Sequence, residues 1–430
     1  CVARPAACGV DAQDGFAVLG CPGSGGNSVK VLLVHQNFPG QFRGLAPALQ
    51  QAGHDVRALS VRKEAVIAGV PHVSYQAERS SSAQIHPWLL NTETAVIRGE
   101  AAAAMVQRQA AQGWTPDVVL GHTGWGEMLF MRQVLPQARL LGFNEIYYRD
   151  QGGDVGFDPE FPAPSLSAQR LQVRNLHLAS SLLSCDVGIT PTQWQADGFP
   201  PALRSSLRVI HDGIRTDLLT PDSSAWVSLN RAGLVLRHGD EVVTFINRNL
   251  EPMRGYHQFM RALPDILQRR PKARVIIVGG DEVSYGSAPP GRKGFKQLFL
   301  DEVKDQLDMS RVHFVSRVPH HTLSTLLRVS SAHVYLTVPF VLSWSMLEAM
   351  SQGALVIGSD TAPVREVITD GQNGLLVDFF KPAQLADRVC DVLADPAAYQ
   401  HLRLAARQTV IDRYDFHTVT WPAYQGLLQG

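Results

Sequence analysis

Short β-branched runs alternate along the chain with longer segments in which apolar residues return every three or four positions. In the first half the runs fall at residues 29–35, 56–61, 117–121, 139–143, 187–190 and 207–210, with helical periodicity at 42–51 and 100–112 between them. The second half repeats the pattern at 242–246, 274–278, 312–315, 333–336, 355–358 and 375–377. Asp186 and the Thr190-Pro191-Thr192 turn are typical strand–helix punctuation. Alternation of this kind predicts a mostly parallel sheet covered by helices on both faces. Two such halves predict an α/β protein of two doubly wound domains, at residues 29–220 and 221–415. The linker is expected within 216–239, where Pro221, Asp222, Ser223 and Ser224 break the pattern, and a last helix is expected at 416–428. In open parallel sheets ligands bind beyond the carboxyl ends of the strands. With two facing sheets, the site is expected in the cleft between the domains.

Composition narrows the picture without redirecting it. The chain has 430 residues, enough for two domains with their own cores, and 45% of them are hydrophobic. Its 39 basic and 39 acidic residues cancel, which gives no global reason to expect nucleic acid or an anionic membrane as partner. No apolar stretch reaches membrane-spanning length. Cys1, Cys8 and Cys21 cluster near the start and Cys185 and Cys390 stand alone, with no Cys-x-x-Cys. Zinc is therefore not expected, and the reading is of a reducing, cytoplasmic protein. Residues 1–28 read as a flexible or artificial tail. The GCPGSGGNS stretch within them lacks the Lys of a phosphate loop and precedes a strand where such a loop would follow one.

The chemistry concentrates at residues 339–368, PFVLSWSMLEAMSQGALVIGSDTAPVREVI. A small polar turn, Ser343-Trp344-Ser345, opens a helix that carries Glu348 and ends at Gly353; a buried strand follows, then a second loop before Glu366. Free N–H groups and the helix dipole hold phosphate at such a start. A carboxylate one turn on can hold ribose hydroxyls. Together they describe a nucleotide-sugar site.

This stretch resembles the donor site of the retaining family 4 glycosyltransferases, which have the two-Rossmann-domain GT-B architecture. The run from Glu348 to Gly353 carries the likeness most clearly. VLLVHQNFPGQFRGLAPAL, GHTGWGEMLF, DVGITPTQWQ, VIHDGI and NRNLEPMRGY follow in family order, as in a bacterial branch with a distinctive N-terminal domain. The resemblance implies transfer of a sugar from a nucleoside-diphosphate sugar to an acceptor hydroxyl with retention of anomeric configuration. It also implies that residues 416–430 cross back onto the first domain.

The departing diphosphate needs fixed positive charge. Arg248 follows a strand and Arg254 comes six residues later; the resemblance makes them the basic pair that clamps the diphosphate, although the family's common spacing is one residue shorter with Lys second. The bland reading is two surface arginines. Gly40, in Phe-Pro-Gly-Gln after the first strand, permits close approach to the donor, or is simply a turn residue. Ser343, Trp344 and Ser345 offer backbone N–H groups, and Ser343 equally suits an N-cap. Glu348 matches the second, ribose-binding Glu of the family's Glu-x7-Glu motif. Phe340 stands where the first should be. Arg317 and Val318 lie in the loop that, by resemblance, meets the nucleobase.

On the first domain His122, Trp125 and Glu127 follow one strand and Asn144 and Glu145 follow the next, as candidate acceptor-side groups with His122 placing a hydroxyl or assisting proton transfer. For Glu145 the alternative is a helix-start carboxylate. Arg149, Asp150, Asp154 and Asp158 form a Gly-rich polar loop, either acceptor-contacting or simply flexible; Arg215 receives no role. There is no Asp-x-Asp to hold a metal-bound diphosphate, which suits a metal-independent enzyme without cofactor, and no Gly-x-Gly-x-x-Gly after the first strand to suggest NAD. The acceptor, whether carbohydrate, lipid-linked or protein, is left open, as is peripheral contact with the inner membrane face. A non-catalytic nucleotide-sugar-binding protein is the alternative that Phe340 motivates; an epimerase or phosphorylase on the same fold is the third reading.

Overall fold

In the computed structural model, residues 28–64, 66–229, 233–284, 288–289, 291 and 294–429 are described. The N-terminal tail reading and its three cysteines lie outside them, apart from Ser28.

Fifteen strands are described. The first seven are β1 (Lys30–Val34), β2 (Asp55–Ser60), β3 (His72–Ser74), β4 (Val118–His122), β5 (Arg139–Phe143), β6 (Val187–Thr190) and β7 (Leu207–Val209). They form one parallel sheet in the order β3-β2-β1-β4-β5-β6-β7. A hairpin, β8 (Trp226–Leu229) with β9 (Leu234–Arg237), pairs antiparallel. The remainder are β10 (Val242–Asn249), β11 (Arg274–Gly280), β12 (Val312–Val315), β13 (Ala332–Tyr335), β14 (Leu355–Ser359) and β15 (Leu375–Val377). These make a second parallel sheet in the order β12-β11-β10-β13-β14-β15. The two sheets are the cores of two Rossmann-like domains.

Strand alternation explains the layering. Val31 and Leu33 of β1 face one apolar cluster with Phe42, Leu45 and Leu141, while Leu32 and Val34 face another with Val119, Met131 and Leu140. In β10, Val243 and Phe245 turn to one cluster and Val242 and Ile246 to the other. With helices on both faces, β1 and β10 are apolar at consecutive positions.

Three segments depart from expectation. The second helix runs Leu90–Ala111, ten residues earlier than its apolar period begins. The first splits into a 3-10 turn, Gly40–Phe42, and Leu45–Gln51. The stretch expected as linker holds the β8–β9 hairpin, and Leu219, Ala225, Val227, Leu229 and Leu236 are buried in the second domain's core.

The chain passes between the sheets near Ile214 and returns near Asp415. The two passages lie side by side: Ile214 and Asp415 form a parallel bridge, and Thr216 Oγ1 donates to Asp415 Oδ2. Beyond the return, Tyr424 of the last helix, Trp421–Gln429, is buried in the first domain's core. A strap after β5 reaches the other way. Its Phe157 and Phe161 pack on the second domain's core, and buried Asp158 accepts from His257 Nε2 at 2.9 Å.

Sheet order reverses between β1 and β4 and between β10 and β13. Those reversals open a crevice at the strands' carboxyl ends. The segments after β1, β4, β5, β10 and β13 therefore converge on one cleft.

Candidate active site

The segment after β1 builds the floor of the first wall. His35 is 3% exposed and its Nδ1 accepts from the Asn37 N–H at 3.0 Å. Its Nε2 is 2.7 Å from Gln41 Oε1, and Gln41 Nε2 donates to Glu145 Oε1 at 2.9 Å. Burial, then the neighbouring His122, pull the His35 pKa down to about 3, so the ring is neutral. Gly40, at φ +46°, lies against this ring: a Cβ there would be 2.2 Å from His35 Nε2. The glycine is thus required by His35 as well as by its left-handed backbone.

His122 ends β4. Its Nδ1 accepts from the Gly124 N–H at 3.0 Å, its ring stacks on Trp125 at 4.1 Å, and its Nε2 lies 3.7 Å from Glu145 Oε2. No helix follows Glu145. Burial opposes its charge, but His122 first and Arg248 after it hold its carboxyl below the usual carboxylate range.

Two residues expected on the acceptor side turn elsewhere. Glu127 is 1% exposed and accepts from the Tyr75 hydroxyl, and burial raises its pKa. Asn144 is equally buried; its Nδ2 donates to the Gly142 carbonyl at 2.6 Å and its Oδ1 accepts from Thr123 Oγ1 at 3.0 Å. Both lie behind the wall, with Glu127 Oε1 and the Asn144 amide bonded to buried partners.

On the second domain, Arg248 is exposed at the end of β10 and interacts electrostatically with Glu145 across the cleft. Arg254 is buried; its Nη1 donates to Thr337 Oγ1 at 2.9 Å and its guanidinium carbon is 5.6 Å from the centroid of Phe340. Ser343 caps the helix Trp344–Ser351, with the Ser345 N–H donating to Ser343 Oγ at 3.4 Å. The Trp344 indole N–H donates to Asp212 Oδ2 of the opposite domain at 2.6 Å. Glu348 is 8% exposed and its Oε1 accepts from His320 Nε2 at 2.9 Å. That hydrogen bond raises the His320 pKa. Arg317, largely exposed, pairs with Glu282, and Val318 is half-buried on the second core.

The polar loop after β5 closes the cleft's edge. Arg149 lies 5.0 Å over the Trp194 ring, and Asp158 and Glu160 bind His257 and Arg261 of the second domain. An acceptor-contacting role for Asp158 is corrected by this pairing, since its carboxylate is committed to His257. Glu366 grips from the other side, accepting from the Gln193 and Trp194 N–H groups at 2.7 Å each. Asp158, Glu160 and His257 bring ligand atoms within 4.8 Å of one another, but Arg261, 2.8 Å from Glu160, already supplies positive charge there.

His35, Gln41, His320 and Asp212 are the residues of this cleft that sequence reasoning missed. The signal for the first two was present in HQNFPGQ, where a His and a Gln flank the glycine six residues apart.

Residues 52–219 match the model of the Glycosyl transferase family 4 group and residues 228–409 that of Glycosyl transferases group 1. The chain belongs to the family 4 glycosyltransferases. Glycogen synthase of Mycobacterium tuberculosis is 25% identical over 419 residues, covering 91% of this chain and 92% of that one. A GDP-mannose-dependent alpha-(1-6)-phosphatidylinositol monomannoside mannosyltransferase of Mycolicibacterium smegmatis is 25% identical over 288 residues, 66% of this chain and 70% of that one. Among solved structures, sucrose-phosphate synthase from Thermosynechococcus elongatus superposes with a TM-score of 0.69 at 19% identity, over 93% of this glycosyltransferase and 98% of that chain. HepE of Anabaena in complex with UDP and glucose gives 0.64 at 16% identity, over 94% of this chain and 100% of that one. These likenesses establish the GT-B fold. No described helix of the glycosyltransferase is long and apolar enough to cross a membrane.

Proposed function

We propose that the protein moves a sugar from a nucleoside-diphosphate sugar to an acceptor hydroxyl with retention of anomeric configuration. The observation that carries this reading is Arg248, at the end of β10, interacting electrostatically with Glu145 beside His122 on the opposite wall, with the helix start tied to that domain through Trp344 and Asp212. Arg248, Arg254 and the helix start meet the charge that grows on the leaving diphosphate. Glu348 holds the ribose, taking two hydroxyls in place of His320. Arg317 and Val318 border the base, and Gly40 leaves room for the donor. His122, on its Trp125 platform, orients a sugar or acceptor hydroxyl. The two arginines supply the positive potential that a metal ion supplies in other transferases, and in this reading no metal takes part.

The names of the two curated relatives suggest a glycan or a lipid-linked glycan as acceptor. The test is a panel of UDP-, GDP- and ADP-sugars with glycan, lipid-linked and peptide acceptors, followed as nucleoside diphosphate release with and without chelator. Release with one donor, product heavier by one sugar, unchanged anomeric configuration by NMR and insensitivity to chelator support the proposal. Binding of the same nucleotides without any release would instead favour the non-catalytic reading that Phe340 motivates.

A further inference from the structure

Phe340 leaves the second domain without a carboxylate at the motif position, and the opposite wall supplies one. Glu145 receives the Gln41 amide on Oε1 at 2.9 Å, lies 3.7 Å from His122 Nε2 through Oε2, and interacts electrostatically with Arg248 of the other domain. Hydrogen-bond directions fix this arrangement. The Asn37 N–H points at His35 Nδ1, so that nitrogen is an acceptor and the proton of the neutral ring sits on Nε2. Nε2–H must donate to Gln41 Oε1, which turns the Gln41 NH2 toward Glu145. The glutamate is thus held by a donor that cannot take up its proton. Gly40 is the residue whose lack of a side chain lets His35 occupy this place.

We propose that Glu145 is the fixed negative charge facing the anomeric carbon as the diphosphate departs, with Gln41 and His35 as the positioning residues that hold it. This rests on the transferase reading above. The bond from the anomeric carbon to the diphosphate oxygen breaks, and both electrons leave on that oxygen. Positive charge develops on the anomeric carbon and the ring oxygen. The acceptor hydroxyl oxygen supplies the pair for the new bond, and its proton passes to the departing diphosphate oxygen. Glu145 gains and loses no proton; its contribution is electrostatic. When diphosphate engages Arg248, the Glu145–Arg248 attraction gives way and the carboxylate is left facing the sugar.

The experiment uses the full chain with the donor and acceptor that the panel identifies. Initial rates are read beside calorimetry with the matching nucleoside diphosphate. Glu145→Gln, which keeps the shape, is expected to lower kcat by about 100-fold. Diphosphate should bind it as tightly as wild type or more so, because Arg248 loses a competing carboxylate. Glu145→Asp restores part of the rate by restoring the charge. Gln41→Leu lowers kcat less, and the double variant Gln41→Leu with Glu145→Gln is no slower than Glu145→Gln alone, because Gln41 acts through Glu145. A Glu145→Gln enzyme within about threefold of wild-type kcat overturns the proposal and leaves the transferase reading standing. Equal losses of kcat and diphosphate affinity overturn it too, since they report a damaged donor site. If wild type releases no diphosphate with any donor, the transferase reading itself fails and the proposal falls with it.

Discussion

The guanidinium carbon of Arg254 stands 5.6 Å from the ring centroid of Phe340, the residue that replaces the first glutamate of the family motif. An aromatic face attracts a cation without carrying charge, so the Phe340 ring helps to position Arg254. Phe340 also belongs to the second domain's core. Phe340→Ala should destabilise that domain by about 3–5 kcal/mol, read from urea unfolding. If the stability loss is below about 1 kcal/mol, the ring is not packed as described.

Glu348→Ala should weaken nucleoside diphosphate binding about 30- to 150-fold, because charge-assisted hydrogen bonds to two hydroxyls are lost. Circular dichroism should be unchanged. Normal binding by a protein that melts far earlier would reassign Glu348 to a structural role.

On the proposed ribose-holding role of Glu348, a protonated His320 would compete with ribose for its carboxylate. Its folded-state pKa is raised by that hydrogen bond, so the pair's stabilising contribution is complete below the ordinary histidine value and is lost as pH rises through the raised one. Nucleotide affinity should therefore increase over the same rise in pH. His320→Ala should flatten the profile; calorimetry at several pH values decides.

Gly40→Ala should lower activity through His35. A Cβ at φ +46° adds backbone strain on the order of 1 kcal/mol and meets the imidazole at 2.2 Å, displacing it from Gln41. Activity should fall by a larger factor than diphosphate affinity. An unimpaired enzyme would mean that His35 does not support Glu145.

Asp158→Ala removes the partner of buried His257. Loss of one member of a buried pair costs about 3–5 kcal/mol. The strap should then detach, and limited proteolysis should cut between Gly152 and Phe161 in the variant but not in wild type. Asp158 has its pKa lowered: burial opposes its charge, but the His257 hydrogen bond and the Glu160 N–H outweigh that. Its contribution is present above the ordinary Asp value and is lost as pH falls through the depressed one.

Strands were the most legible part of the fold. Residues 139–143 and 187–190 coincide with β5 and β6, because buried parallel strands carry unbroken apolar runs. β3 escaped notice because its three residues are only half-buried at the sheet edge. The β8–β9 hairpin was obscured by the breakers just before it. The donor-side turn and Glu348 lie in one contiguous stretch and could be read as a unit. Gln41, His35 and His320 acquire their roles from partners on other elements, and periodicity carries no trace of such pairings. From its glycines and polar residues the strap reads as either an acceptor-contacting or a flexible loop, yet Phe157 and Phe161, four residues apart beside Asp158, were a visible sign that it docks.

The bridge between Ile214 and Asp415 bears on how the two walls can move. A single tether would permit twisting and sliding. Two tethers fixed side by side, with the strap docked on the second domain and Glu366 bound to the first, hold the two walls in one register. That register is what keeps Arg248 within electrostatic reach of Glu145 on the wall opposite.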